Sequence, residues 1–94
     1  MKFMQHEVHE LAKTKGFWPK GRSFAECVVL IHSELSEALE ADRLNDKEAM
    51  QEELADTVIR IMDLAEHLNI DLEEQIWRKH LKNQRRQFKH GKAY

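Results

Sequence analysis

Residues 23–44 read SFAECVVLIHSELSEALEADRL, and the fold is decided in this stretch. Ser23, with Glu26 three residues on, is a capping box that opens a helix extending to about Leu44. At about 100° per residue, Phe24, Cys27, Leu30, Ile31, Leu35, Ala38 and Ala41 share one broad stripe, the expected core side. Glu34 falls near the middle of that stripe and Glu37 at its edge. An unpaired buried carboxylate costs several kcal/mol or more, so its placement there calls for a partner.

Outward from this helix the same punctuation recurs. Upstream, a first helix runs from Lys2 to Lys15, with Phe3, Val8, Leu11 and Ala12 on one side and Gly16 as its cap. The loop Gly16 to Arg22, broken by Gly16, Pro19 and Gly21, links it to the second. Downstream, Asn45 and Asp46 offer another N-cap, and a third helix runs from about Lys47 to Leu68, with Asn69 a left-handed stop. Asp71 and Glu74 open a fourth, which reaches about Phe88. The expected fold is all-α, a single four-helix domain over residues 1–94.

Composition agrees. Ninety-four residues give one domain, with 41% hydrophobic and 34% charged side chains and only three Gly and one Pro. A mean hydropathy of −0.70 and the lack of a long apolar run argue against a membrane span. The N-terminal sequence has no apolar leader, so a cytoplasmic location is expected. One cysteine, Cys27, excludes an internal disulfide and reads as a buried, inert thiol. His6-Glu7-Val8-His9 has the wrong spacing for a zinc-protease motif, and neither Gly16 nor Gly21 belongs to a phosphate loop.

The formal charge of −2 hides a sharp division. Residues 1–33 carry +2, residues 34–74 carry −11, and residues 75–94 carry +7. One reading is a self-neutralising bundle; the other is an acidic patch for cations beside a basic patch for an anion. The third helix sharpens the second reading. Met50, Leu54, Ile61, Leu64 and Leu68 form its apolar stripe, Glu53 borders it, and Asp56, Arg60 and Asp63 continue along the adjacent polar face. Each of the two central helices therefore carries carboxylates at i and i+3, which antiparallel packing would bring together. Oxygen-only ligands of this kind suit Mg²⁺, with Mn²⁺ a substitute.

Glu34-Leu-Ser-Glu37 followed by Glu53-Leu-Ala-Asp56 resembles the E-x-x-E…E-x-x-D signature of the all-α nucleoside triphosphate pyrophosphohydrolases, specifically the short MazG-like proteins. Lys15 to Trp18, and the tail Lys82-Asn83…Arg86…His90-Gly91-Lys92, add weaker likeness. The resemblance implies hydrolysis of a nucleoside triphosphate to monophosphate and pyrophosphate in nucleotide-pool housecleaning, with Mg²⁺ held by Glu34, Glu37, Glu53 and Asp56. It also implies a homodimer or dimer of dimers. One of Glu34, Glu37 or Glu53 is expected to act as the base that deprotonates water.

Substrate contacts are expected from Lys79, Lys82, Asn83 and Arg86 of the basic tail. Lys79, Lys82 and Arg86 recur at three- and four-residue steps, although a solvated basic face around Trp77, Leu81 and Phe88 has the same pattern. Trp18 either stacks on a nucleobase or closes the core, and Arg60 reaches a phosphate or neutralises the acids. Ile59 and Met62 lie off the main apolar stripe of the third helix, which points to self-association through helices 2 and 3. The alternative function is a non-enzymatic helical module whose basic helix 4 binds nucleic acid or an acidic partner.

Overall fold

The computed structural model describes residues 1–86, with four helices and no strand among them. They are α1 (Lys2–Thr14), α2 (Phe24–Arg43), α3 (Lys47–His67) and α4 (Leu72–Arg85). The expected continuation of helix 4 to Phe88, and the His90-Gly91-Lys92 likeness, lie outside the described residues.

Each boundary follows from local chemistry. Ser23 Oγ accepts from the Glu26 N–H at 3.1 Å while the Ser23 N–H donates to Glu26 Oε1 at 3.3 Å, so the capping box is complete. Asp46 caps α3 through the Ala49 N–H, and Asp71 caps α4 through the Glu74 N–H. The Asp71–Glu74 box is only half formed, because Glu74 Oε1 accepts instead from Arg78 Nη2 at 2.8 Å.

Three helices stop in the same way. Gly16, Asn45 and Asn69 take positive φ (77°, 58° and 58°) just past α1, α2 and α3. The next N–H in each case donates back to a carbonyl in the last turn: Phe17 to Ala12, Asp46 to Ala41 and Ile70 to Ala65, all at 2.9 Å. These are Schellman closures, and Asn is the non-glycine residue that tolerates them best. Asn45 thus ends α2, and Asp46 alone serves as the cap of α3.

α3 is the central helix, with α1 and α2 both packed on it. The buried apolar side chains are Ala12, Cys27, Ala38, Ala41, Met62, Leu64 and Ala65, so small residues bring the helices close. The faces expected from periodicity are rotated. Met62, placed off the α3 stripe by spacing, is 2% exposed, while Leu54, Ile61 and Leu68 remain open. α3 is gripped from two sides, so Met62 and Ala65 join Leu64 of the expected stripe in the core while the rest of that stripe is left more open. α1 departs further, because Phe3 and Leu11 are exposed and the buried face is Gln5, His9 and Ala12. Acceptors on α3 and just beyond it explain this, since Gln5 Nε2 donates to Glu66 Oε1 (3.0 Å) and to the Ile70 carbonyl (2.7 Å).

α4 buries no residue, and Ile76, Trp77 and Leu81 are exposed, Trp77 by 60%. Among the described residues the packed core is therefore built by α1, α2 and α3. No helix here is long and apolar enough to cross a membrane.

Candidate functional site

Packing of α2 against α3 brings carboxylates together from both. One oxygen each from Glu34, Glu37 and Glu53 lies within 4.8 Å of the others. Glu34 is held in place by Arg60, whose Nε donates to Glu34 Oε1 at 2.9 Å, and only 13% of the Glu34 side chain is exposed. The buried-face carboxylate anticipated from the α2 stripe is thus present, and its protein partner is a guanidinium from the facing helix.

Three of the four expected acids make this group. Asp56 is exposed and stands one turn beyond Glu53 on α3, lining a cleft that Glu34 also borders.

The crowding has an electrostatic consequence. Glu34 is held below the ordinary carboxylate range, first by the hydrogen bond it shares with Glu53 and then by Arg60 and Glu37, against the opposing effect of burial. Glu53 takes the other side of that pairing. Its hydrogen bond with Glu34 raises its pKa to about 7, with burial and Glu37 acting in the same direction. Glu53 Oε2 is buried and has no hydrogen-bond donor among the described residues. An orphaned oxygen among carboxylates is satisfied by a proton or by a cation, and hard oxygen donors select Mg²⁺ or Mn²⁺. Glu34, Glu37 and Glu53 have the donor chemistry and the spacing to hold such an ion, with Asp56 at the margin.

A pH prediction follows from Glu53. Its native pKa of about 7 exceeds the ordinary 4.5, so between these values the fold keeps a proton that the unfolded chain has lost. This contribution to stability is full below pH 4.5 and is lost as pH rises to about 7. Glu53→Gln carries no such loss. In metal-free buffer its melting temperature, relative to the parent, is expected to climb from pH 5 to pH 7.5 and then level. Circular dichroism melts across that range check this, and a difference independent of pH contradicts it.

Beside the acids, a cleft of about 420 Å³ opens between α1, the 16–22 loop and α3. Val8, Leu11, Phe17 and Ile59 form its apolar walls, and Lys15, Asp56, Arg60 and Asp63 supply polar groups. Phe17, rather than Trp18, is the loop aromatic that lines it. Trp18 is committed elsewhere: its ring stacks on His67 at 4.0 Å between centroids, and the Arg22 guanidinium lies 5.6 Å from its ring centre. Its indole N–H donates to Asp63 Oδ1 (2.9 Å) and Oδ2 (3.0 Å). His9 Nδ1 faces the same Oδ1 at 2.6 Å, and opposite a carboxylate that nitrogen is the donor.

Neither His9 nor His67 was singled out by spacing, and Asp63 appeared only as one acid on a polar face. The available signal was the Gln5/His9/Ala12 spacing of four and three, a helix face with polar residues where apolar ones were sought. Lys79, Lys82, Asn83 and Arg86 lie on or at the end of α4, where every residue from Glu74 to Arg86 is exposed. No hydrogen bond or ion pair joins Lys79, Lys82 or Asn83 to the acid cluster among the described residues. Cys27 is buried, and burial raises its thiol pKa, consistent with an inert core residue.

Comparison with known protein families, with curated proteins and with solved structures finds no match to this chain.

Proposed function

We propose that the protein is a Mg²⁺-dependent nucleoside triphosphate pyrophosphohydrolase of the MazG-like type. The observation that carries this reading is the convergence of Glu34, Glu37 and Glu53, with a donorless buried oxygen on Glu53, at the edge of an apolar-walled cleft. Bound by these acids, Mg²⁺ supplies charge neutralisation towards the phosphates and acidifies water. Without that screening the carboxylates repel a triphosphate. Phe17, Val8 and Leu11 offer apolar surface to a base or sugar, and Lys15 and Arg60 lie where phosphate charge needs countering. The base is drawn from Glu34, Glu37 and Glu53, as the carboxylate oxygen of this group that faces the ion-bound water.

The test is a panel of ribo- and deoxyribonucleoside triphosphates incubated with Mg²⁺, scoring pyrophosphate separately from orthophosphate. Pyrophosphate and monophosphate appearing together, and only with the ion, is the expected result. Failure to release pyrophosphate from any of them ends the proposal.

Self-association belongs to the same reading. Leu54, Val58 and Ile61 of α3, and Leu35 and Leu39 of α2, are exposed at four- and three-residue steps. Apolar rows of this kind point to a partner surface, and we propose a homodimer, or a dimer of dimers, formed through α2 and α3. Light scattering at micromolar concentration is expected to give at least twice the 11.2 kDa chain mass; a stable monomer contradicts it. A second reading draws on α4, where an exposed Trp77 sits among Arg78, Lys79 and Lys82. A helix binding nucleic acid or an acidic partner this way shows steep salt dependence and tolerates loss of Glu34.

A further inference from the structure

Arg60 stands in two places at once. It is the guanidinium paired with the acid cluster among the described residues, through one bond from Nε to Glu34 Oε1 at 2.9 Å. It also lines the apolar-walled cleft, and 37% of its side chain is exposed. A guanidinium carries five N–H donors in a planar fork, and here no other protein acceptor engages them among the described residues. Arg60 is thus a cation held by a single contact, next to open space, on a carboxylate that a divalent ion also needs.

Two cations on Glu34 repel each other. Unlike the ion, Arg60 has somewhere to go: its stem is long, it is partly solvated, and the cleft lies alongside. There its fork matches the geometry of phosphate oxygens, for which two parallel N–H···O bonds are the favoured contact. We propose that Arg60 is an exchangeable counter-ion. It pairs with Glu34 while no divalent ion is bound, releases Glu34 when one binds, and turns its donors to a phosphate-bearing ligand in the cleft. The inference rests on the reading of Glu34, Glu37 and Glu53 as cation ligands. It adds an order of events: anion affinity through Arg60 is created by cation binding. Arg60 is in this sense a positioning residue for the empty site and a ligand contact in the loaded one.

The Arg60 Nε–H resonance in ¹⁵N-labelled parent protein reports this directly. Titration with Mg²⁺ alone is expected to shift that signal and speed its exchange with water as the Glu34 bond is lost. Addition of a nonhydrolysable α,β-imido nucleoside triphosphate is expected to move it again and protect it. In parallel, calorimetry compares Arg60→Met with the parent. Mn²⁺ binding is expected to tighten about threefold to tenfold when the competing cation is gone. Nucleotide binding in saturating Mg²⁺ is expected to weaken about tenfold, with little difference between the proteins when Mg²⁺ is omitted. Backbone signals of Glu34 and Glu53 that respond to Mg²⁺ while Arg60 stays fixed overturn the exchange and leave the cation site standing. Mn²⁺ binding that is unchanged or weaker in Arg60→Met also overturns it, marking Arg60 as a fixed support for Glu34. A parent protein whose cluster ignores Mg²⁺ overturns both readings together.

Discussion

Glu34→Gln is expected to abolish Mg²⁺-dependent pyrophosphate release while leaving the stability of the fold close to that of the parent. Two features of the position drive these opposite outcomes. Glu34 contributes an oxygen to the three-acid group and is the least exposed carboxylate whose role there is fixed by a partner, Arg60 at 2.9 Å. Replacing even an outer-shell partner of a metal ligand costs about 10- to 100-fold, so loss of a ligand itself is expected to exceed about 100-fold in turnover. The metal-free protein pays nothing comparable. The amide relieves repulsion within the acid group but gives up the charge-assisted bond to Arg60 that holds Glu34 below the ordinary carboxylate range, and its oxygen still accepts from Arg60, so the two effects largely offset. Turnover assays paired with thermal melts in chelator measure both effects on one preparation. Retention of near-parent activity sinks the enzyme reading. Loss of activity together with a much lower melting temperature would instead make Glu34 a structural residue.

The sequence carried this site unevenly, and the reasons are physical. Glu34 was legible because one carboxylate in the middle of an apolar stripe violates the cost of burying charge, whatever the tertiary structure turns out to be. Glu53 was legible by its spacing, since i, i+3 acids on two helices that pack together meet across their contact. Helix limits were legible because Ser23, Asp46, Asp71 and the residues that tolerate positive φ act within one turn. The rotation of α3 was not. Whether Met62 or Ile61 enters the core depends on where α1 lands, and nothing local to α3 specifies that. Asp56 fell short of the cluster for a similar reason: i+3 spacing sets a shared face, but reach depends on side-chain length and on the helix crossing.

The polar side of α1 was the least legible feature and supports the largest stability prediction. Asp63→Ala is expected to lower the melting temperature by about 10–25 °C. Asp63 accepts the indole N–H of Trp18 on both oxygens and faces His9 Nδ1 at 2.6 Å, with 14% of its side chain exposed and 10% of that of His9. Truncation to alanine leaves two donors without acceptors in a place water reaches poorly, at about 1–3 kcal/mol each. For a domain of this size about 1 kcal/mol corresponds to roughly 4–8 °C. Little else is present to absorb the loss, because among the described residues the buried apolar set includes four alanines and only two large side chains, Met62 and Leu64. Asp63→Asn keeps one acceptor but presents an amide donor to Trp18 or His9, so an intermediate drop is expected. Trp18→Phe, which keeps an aromatic ring beside His67 and leaves the His9 contact of Asp63 in place while losing the N–H and part of the ring area, is expected to cost least of the three. A melt of Asp63→Ala within about 3 °C of the parent refutes the argument. The order matters for the cleft as well. Trp18 fixes the loop from which Phe17 reaches the cleft wall, so loosening Asp63 is expected to raise KM at temperatures where the variant is still folded.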